Sequence, residues 1–235
     1  MRNKGHILLS HLVAYRGDHE DCVENTLQAF QRAVETGARY AECDIQFTRD
    51  LIPVVIHDDS LNRLCNSTLK VSELDCTELE SICAPHFDLL RLSALLLWLG
   101  KQPDLTLFVE VKPHIRLRLS DQQIADRLVM TINQTLLSRI VLISQSGLIL
   151  EACAKQLFCR LGWVHEGDDN PSDDLEITYI FIPYDKAEAI AAWQAKGLKV
   201  GVYTIHKSQQ LKHLLAMGVD LIEVNHFARL LHEMP

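Results

Sequence analysis

Two short, largely apolar stretches of this chain each carry two charged residues two positions apart. The stretch 40–47 holds Glu42 and Asp44, and the stretch 108–112 holds Glu110 and Lys112. Residues two apart on an extended chain point to the same face, so each pair shares a side. Two carboxylates on one side repel each other unless a cation or donors compensate. Taken singly, Glu42 and Asp44 are equally well explained by solvent or by lysine partners, and Glu110 with Lys112 by a simple ion pair. Taken together, they bring three carboxylates to one place. Hard oxygen ligands in that number suit Mg²⁺ or Ca²⁺ better than zinc.

Arg16 closes the run that ends at Tyr15, and its planar fork matches phosphate oxygens. Pairing with Glu24 or Glu42 is the plainer explanation for it. With Lys112 and a divalent cation, however, Arg16 forms a clamp on a phosphodiester, where charge accumulates during displacement. His57 reaches the same place by a hairpin, because the connection between 47 and 53 is too short for a helical crossover. A turn centred near Asp50 and Leu51 sets Asp44 opposite roughly His57, and a slip of one residue would turn His57 away. His114 and His206 follow strands at the same end and are weaker candidates for substrate contact, while His19, in the loop after the first strand, could swing inward but is more simply an exposed loop histidine. His11 lies towards the wrong end of its strand.

The elements that would position these groups alternate short apolar runs with helix-period segments. Such alternation predicts a mostly parallel sheet with crossover helices. Strands are expected at 12–15, 40–47, 105–111, 140–144, 160–164, 178–182, 199–204 and 220–224. Helices are expected at 25–35, 72–100, 121–137, 147–158, 186–196 and 207–217, with a short one closing the chain. Apart from the hairpin strand 53–57, eight strands run parallel, the number that closes a TIM (β/α)8 barrel. The expected fold is therefore that barrel as a single domain over 1–235, with an extra β-hairpin strand after the second strand. Reactive groups of such barrels sit at the C-terminal ends of the strands. The stretch 166–176, rich in Asp, Gly, Pro and Ser, is expected to be a loop in place of a full helix.

Composition narrows the partners. The net charge is −8 and no Lys/Arg block is long enough to follow a phosphate backbone, which argues against nucleic acid. Seven cysteines without close pairing are expected to be reduced thiols, as in a cytoplasmic protein. The start at Met1–Leu9 faintly imitates a signal peptide, but Ser10 and His11 interrupt it and no cleavage site follows. The apolar stretch 89–99 contains Arg91 and is too short to span a bilayer, so no stable membrane anchor is expected.

The ordered set Ala14-Tyr15-Arg16-Gly17, Glu24-Asn25-Thr26, Glu42-Cys43-Asp44, 53–58 ending in His57-Asp58, and Val109-Glu110-Val111-Lys112 resembles the glycerophosphodiester phosphodiesterase signature. The similarity extends to 197–204 and so covers nearly the whole chain. It implies metal-dependent hydrolysis of glycerophosphodiesters to glycerol 3-phosphate and an alcohol, through attack by the substrate's own glycerol hydroxyl. It also implies that Glu42, Asp44 and Glu110 hold the metal, that Arg16 and Lys112 contact phosphate, and that His57 is one of two acid–base groups. Tyr15 stands where the other histidine is expected, Val23 replaces a proline, and Asn225 replaces an aspartate. A phenol titrates near 10, against roughly 6.5 for imidazole, so Tyr15 is a poor base at neutral pH. A weakened or inactive phosphoester-binding homologue is the alternative. Cleavage of lysophospholipid or sphingomyelin is a third option, but no basic amphipathic helix supports it.

Overall fold

Period-two apolar runs rich in Val, Ile, Leu and Phe form the strands, and the segments between them bury one helical face each. A computed structural model describes residues 8–166 and 169–234. One sheet contains β1 (Leu12–Tyr15), β2 (Tyr40–Phe47), β3 (Pro53–Val55), β4 (Leu90–Arg91), β5 (Thr106–Val111), β6 (Ile140–Ser144), β7 (Arg160–Val164), β8 (Tyr179–Pro183), β9 (Lys199–Ile205) and β10 (Leu221–Val224). All but β3 and β4 pair in parallel with their neighbours. The ring closes where β1 lies between β10 and β2, with Leu12 beside Ile222 and Tyr15 beside Glu42. This is the expected TIM barrel.

Alternation along each strand divides the barrel interior into two layers. The lower layer is apolar and aromatic: Val13, Phe108, Val141, Tyr179 and Leu221 fill it, and Phe108 meets the Tyr179 ring edge-on at 5.2 Å. Gly201 leaves room for Phe181, whose ring carbon would lie 2.4 Å from a Cβ there. One step of two residues further on, the same strands present Tyr15, Glu110, Tyr203 and Glu223. The apolar layer plugs the barrel beneath a polar mouth. A second, larger core lies between the outer face of the strands and the helices.

The first crossover shows how local sequence sets an element. Thr26 caps the helix Leu27–Glu35, its hydroxyl accepting from the Ala29 amide at 3.4 Å, and Ala29, Phe30 and Ala33 are its buried face. Gly37, at φ +99°, ends the turn that follows.

Three expectations need correction. Residues 72–100 are not one helical stretch: a 3-10 turn at Val71–Glu73 and a helix at Cys76–Cys83 come before β4, which pairs with β3, and a second helix at Leu92–Leu99 comes after it. Between β3 and β4 the chain builds a satellite core around Ile56, Leu61, Val71 and Leu79, which a continuous helix could not enclose. The helix expected over 121–137 ends at Thr131 and continues as a 3-10 segment, Gln134–Arg139, capped by Asn133. The hairpin is in a register one residue away from that expected, with Ile45 beside Val55 and the Ile56 amide donating to the Asp44 carbonyl. His57 still reaches the mouth because β3 stops at Val55 and a bend at 57 releases it from strand alternation.

Of the expected 166–176 loop, residues 169–176 contain no helix or strand, and 167–168 lie outside the described residues. So does most of the signal-like start at Met1–Leu9. No helix among the described residues is long and apolar enough to cross a membrane.

Candidate active site

Arg16 and Asn25 bracket the loop after β1, and both adopt left-handed backbone, at φ 57° and 59°. Such conformations are costly for non-glycine residues and persist where surrounding bonds over-determine them. Here the Arg16 amide donates to the Glu42 carboxylate at 3.2 Å, and the Asn25 amide donates to the Arg16 carbonyl at 2.9 Å. Gly17, at φ +82°, passes so close to the capped helix that a Cβ would sit 2.6 Å from the Ala29 carbonyl carbon. Only glycine permits that approach. The loop therefore pins Arg16 beside the carboxylates of β2.

Parallel pairing sets Asp44 beside Glu110. Glu42, Asp44 and Glu110 each offer an oxygen within 4.8 Å of the others, and all three are buried. Lys112 Nζ lies 2.6 Å from Asp44 Oδ1 and 2.8 Å from Glu110 Oε2, while Arg16 Nε lies 3.0 Å from Asp44 Oδ2. Asn25 Nδ2 donates to the same Asp44 oxygen at 2.9 Å. Neither Glu42 Oε1 nor Glu110 Oε1 has a hydrogen-bond partner among the described residues, although both atoms are buried. Orphaned carboxylate oxygens converging on one point are the donor set a hard divalent cation takes. The residues fit such an ion.

The electrostatics agree. Burial, reinforced by Asp44, Glu223 and Glu110, pushes the Glu42 carboxyl well above the usual range. Burial works the same way on Asp44, but Lys112 and Arg16 outweigh it and hold Asp44 below the usual carboxylate range. Glu110 is raised by burial against the pull of Lys112. Without an added positive charge, this cluster holds more carboxylates than its two cations neutralise.

Tyr15 ends β1 at the cavity wall, and the Arg16 guanidinium stacks 4.4 Å from its ring centroid while Nη2 donates to the phenol oxygen. Burial and the Asp44 and Glu42 carboxylates push this phenol upward, so it stays protonated at neutral pH. His57 lines the same cavity. Its Nδ1 lies 2.6 Å from Asp58 Oδ1, and Gln46 Nε2 donates to its carbonyl at 2.7 Å. Tyr15, His57, Glu110 and Lys112 share the wall of a cavity of about 150 Å³ with Gln145, Glu166, Tyr203 and Glu223.

Sequence reasoning missed the far wall. Glu223 is 3% exposed, and burial with its carboxylate neighbours raises it well above the usual range. Its signal was present, as the one charged residue in the strand Leu221–Val224. Tyr203 brings a buried phenol oxygen with no partner among the described residues. The other histidines do not line this cavity. His114 donates to Gln46 Oε1 at 2.8 Å, His206 is exposed and accepts from Asn225 at 2.9 Å, and His19 packs against His226 at 5.8 Å. His11 is turned away, as expected, bonding the Val219 and Asp220 carbonyls at 3.1 and 3.0 Å.

The model of the glycerophosphoryl diester phosphodiesterase family matches residues 15–229. The chain belongs to that family. Among its relatives, a glycerophosphodiester phosphodiesterase of Caldanaerobacter subterraneus subsp. tengcongensis is 40% identical over 73 residues, which are 31% of this chain and 30% of that protein. Human glycerophosphodiester phosphodiesterase 1 is 37% identical over 70 residues, 30% of this chain and 21% of its own length. The matched stretches thus span a third or less of these relatives. Solved structures extend the likeness of fold to nearly the full chain. An Oleispira antarctica phosphodiesterase in complex with the product sn-glycerol-3-phosphate superposes with a TM-score of 0.79 at 21% identity, covering 96% of this chain and 97% of that one. The glycerophosphodiester phosphodiesterase of Thermotoga maritima gives 0.74 at 18%, covering 94% and 97%. Within the family fold, the mouth of this chain gathers all seven residues singled out by sequence: Tyr15, Arg16, Glu42, Asp44, His57, Glu110 and Lys112.

Proposed function

We propose that this protein hydrolyses glycerophosphodiesters to glycerol 3-phosphate and an alcohol, using a divalent cation, Mg²⁺ or Ca²⁺, held by Glu42, Asp44 and Glu110. The observation that carries the reading is the meeting of three buried carboxylates within 4.8 Å beside Lys112 and Arg16, at a cavity His57 also lines. A bound cation there supplies Lewis-acid polarisation of a phosphoryl oxygen. Arg16 and Lys112 counter the charge that builds on the remaining phosphoryl oxygens. Lys112 suits that task because, although burial lowers its proton affinity, the Asp44 and Glu110 carboxylates raise it further, so it stays an ammonium.

His57 carries the proton transfer. With Nδ1 donating to Asp58, the ring's Nε2 is free to take a proton from the attacking hydroxyl or return it to the leaving alcohol oxygen. Tyr15 stays protonated and acts as a donor to a substrate oxygen. The test is release of glycerol 3-phosphate by purified protein in Mg²⁺, Mn²⁺ or Ca²⁺. Absence of release from every glycerophosphodiester tried, with Tyr15→His equally inert, overturns the proposal.

One observation favours a second reading, a phosphoester-binding protein with weakened turnover. The upward-shifted Tyr15 phenol cannot serve as a base near neutral pH. That reading expects cation and glycerol 3-phosphate binding without turnover, and rapid turnover by the unmodified protein excludes it.

A further inference from the structure

Arg63 does not line the cavity, yet it joins two of the groups that act there. It sits on the short helix Asn62–Cys65, in the segment between β3 and β4. Its Nε is 2.6 Å from Asp58 Oδ2, and the other Asp58 oxygen is 2.6 Å from His57 Nδ1. Its Nη2 is 2.7 Å from Glu24 Oε1, the oxygen that Arg16 Nη1 reaches at 2.9 Å. A chain of ion pairs ending in a hydrogen bond therefore runs Arg16–Glu24–Arg63–Asp58–His57, with the Arg63 guanidinium at its centre.

Surface ion pairs usually contribute little, and the Arg63 side chain is 46% exposed. Two features separate this one from a loose pair. Its carboxylates are better covered, Glu24 at 12% and Asp58 at 30%, and each is shared with a second cationic or imidazole partner. The helix that presents Arg63 is also anchored. Leu61 and Cys65 pack into the satellite core, the Val71 amide donates to the Asp59 carbonyl at 2.7 Å, and the Ser72 amide and hydroxyl both donate to the Asp59 carboxylate at 2.9 Å. The satellite core thus gives Arg63 a fixed base.

We infer that Arg63 is a positioning residue, which orients the His57 ring through Asp58 and the Arg16 fork through Glu24, so that proton transfer and phosphate binding are set in one frame. This rests on the phosphodiester chemistry proposed above. The fork geometry matters, because Arg63 uses two different nitrogens on two carboxylates and a lysine ammonium has no such planar spread.

Arg63→Met, Arg63→Lys, His57→Ala and the double variant Arg63→Met/His57→Ala test it. Turnover is measured on glycerophosphocholine and glycerophosphoethanolamine with the activating cation, and glycerol 3-phosphate binding with Ca²⁺ by calorimetry. Arg63→Met is expected to lower kcat by roughly 10- to 100-fold, the scale of an ångström of misplacement, and to weaken glycerol 3-phosphate binding. Arg63→Lys should recover part of both. A residue acting partly through His57 gives a non-additive pair, so Arg63→Met should lower kcat by a smaller factor in the His57→Ala background than in the unmodified protein. Unchanged kcat and unchanged binding in Arg63→Met overturn the inference, as does a fully additive loss in the double variant. Lack of turnover by the unmodified protein refutes the phosphodiesterase reading alone. Binding then decides for Arg63: weaker glycerol 3-phosphate binding in Arg63→Met supports the link to Arg16, and unchanged binding overturns it.

Discussion

Lys112 Nζ stands 2.6 Å from Asp44 Oδ1, on the adjacent parallel strand, and both side chains are at least nine-tenths buried. Asp44 carries the negative charge that this ammonium and Arg16 together compensate. Glu110 pairs with the same ammonium, at 2.8 Å. The pair is a hub, since losing one partner strands the others.

Lys112→Met should therefore be costly without any change in the barrel. Removing one partner of a buried pair typically costs about 3–5 kcal/mol, because it leaves the other charge uncompensated. The check is urea unfolding of the metal-free protein at pH 7. A loss under about 1 kcal/mol, the scale of an exposed pair, would mean that water or a bound ion already neutralises the carboxylates. Added Ca²⁺ should offset part of the loss.

The carboxylate cluster also sets a pH dependence. Burial and mutual repulsion raise the folded-state values of Glu42 and Glu223 above the unfolded carboxyl value of roughly 4.3. In that case the folded chain holds protons that the unfolded chain has lost, so stability falls as pH rises above that value. Asp44 has the opposite sign: its contribution is present above roughly 3.9 and is lost as pH falls through its lowered folded value. The metal-free protein should consequently melt at a lower temperature at pH 7 than Glu42→Gln does, with the gap closing towards pH 4.5. Mg²⁺ or Ca²⁺ at pH 7 should raise the melting temperature of the unmodified protein and leave Glu42→Gln nearly unmoved. Melting curves with and without chelator measure both, and equal stabilisation of the two proteins would take Glu42 out of the ligand set.

Tyr15 separates binding from turnover. Tyr15→His puts an imidazole where the phenol stands, and general acid–base assistance is worth about 10²–10⁴-fold in rate. An increase in kcat of that order, with little change in KM, is the outcome expected if Tyr15 limits proton transfer. Tyr15→Phe keeps the ring under Arg16 but removes the oxygen that accepts from Nη2, so it should raise KM more than it lowers kcat. If Tyr15→His is slower than the unmodified protein, the phenol is a working part of the site and its replacement of histidine is not a loss.

Strand periodicity made much of this legible from sequence. Glu42, Asp44, Glu110 and Lys112 lie two apart in apolar strands, so their convergence follows from the alternation that makes the barrel. The hairpin was legible as a connection but not in register, because His57 depends on where β3 stops, and a bend at 57 has no periodic signature. Arg63 was invisible for another reason. Its partners, Glu24 and Asp58, meet it only because the satellite core turns a four-residue helix towards the mouth. Glu223 carries a readable signal of its own, a single charge in the otherwise apolar strand Leu221–Val224.

Glu223 gives the last expectation. Its carboxyl is almost fully buried, lines the cavity and stands near the Glu110 and Asp44 carboxylates, which with burial push it upward. A buried carboxyl beside other carboxylates is destabilising once ionised, and it persists where a ligand or an ion compensates it. Glu223→Gln keeps the shape and removes the ionisation, so the metal-free protein at pH 7 should gain stability, with a gain that shrinks towards pH 4.5 by the same sign as for Glu42. If a substrate hydroxyl or ammonium uses Glu223 as an acceptor, the stabler variant should bind substrate less well, with KM rising and cation affinity unchanged. Melting curves, calorimetry with Ca²⁺ and steady-state kinetics separate these effects. A stabler variant with unaltered KM would make Glu223 a partner of the cation cluster rather than of the substrate, and reduced Ca²⁺ affinity would then have to accompany it.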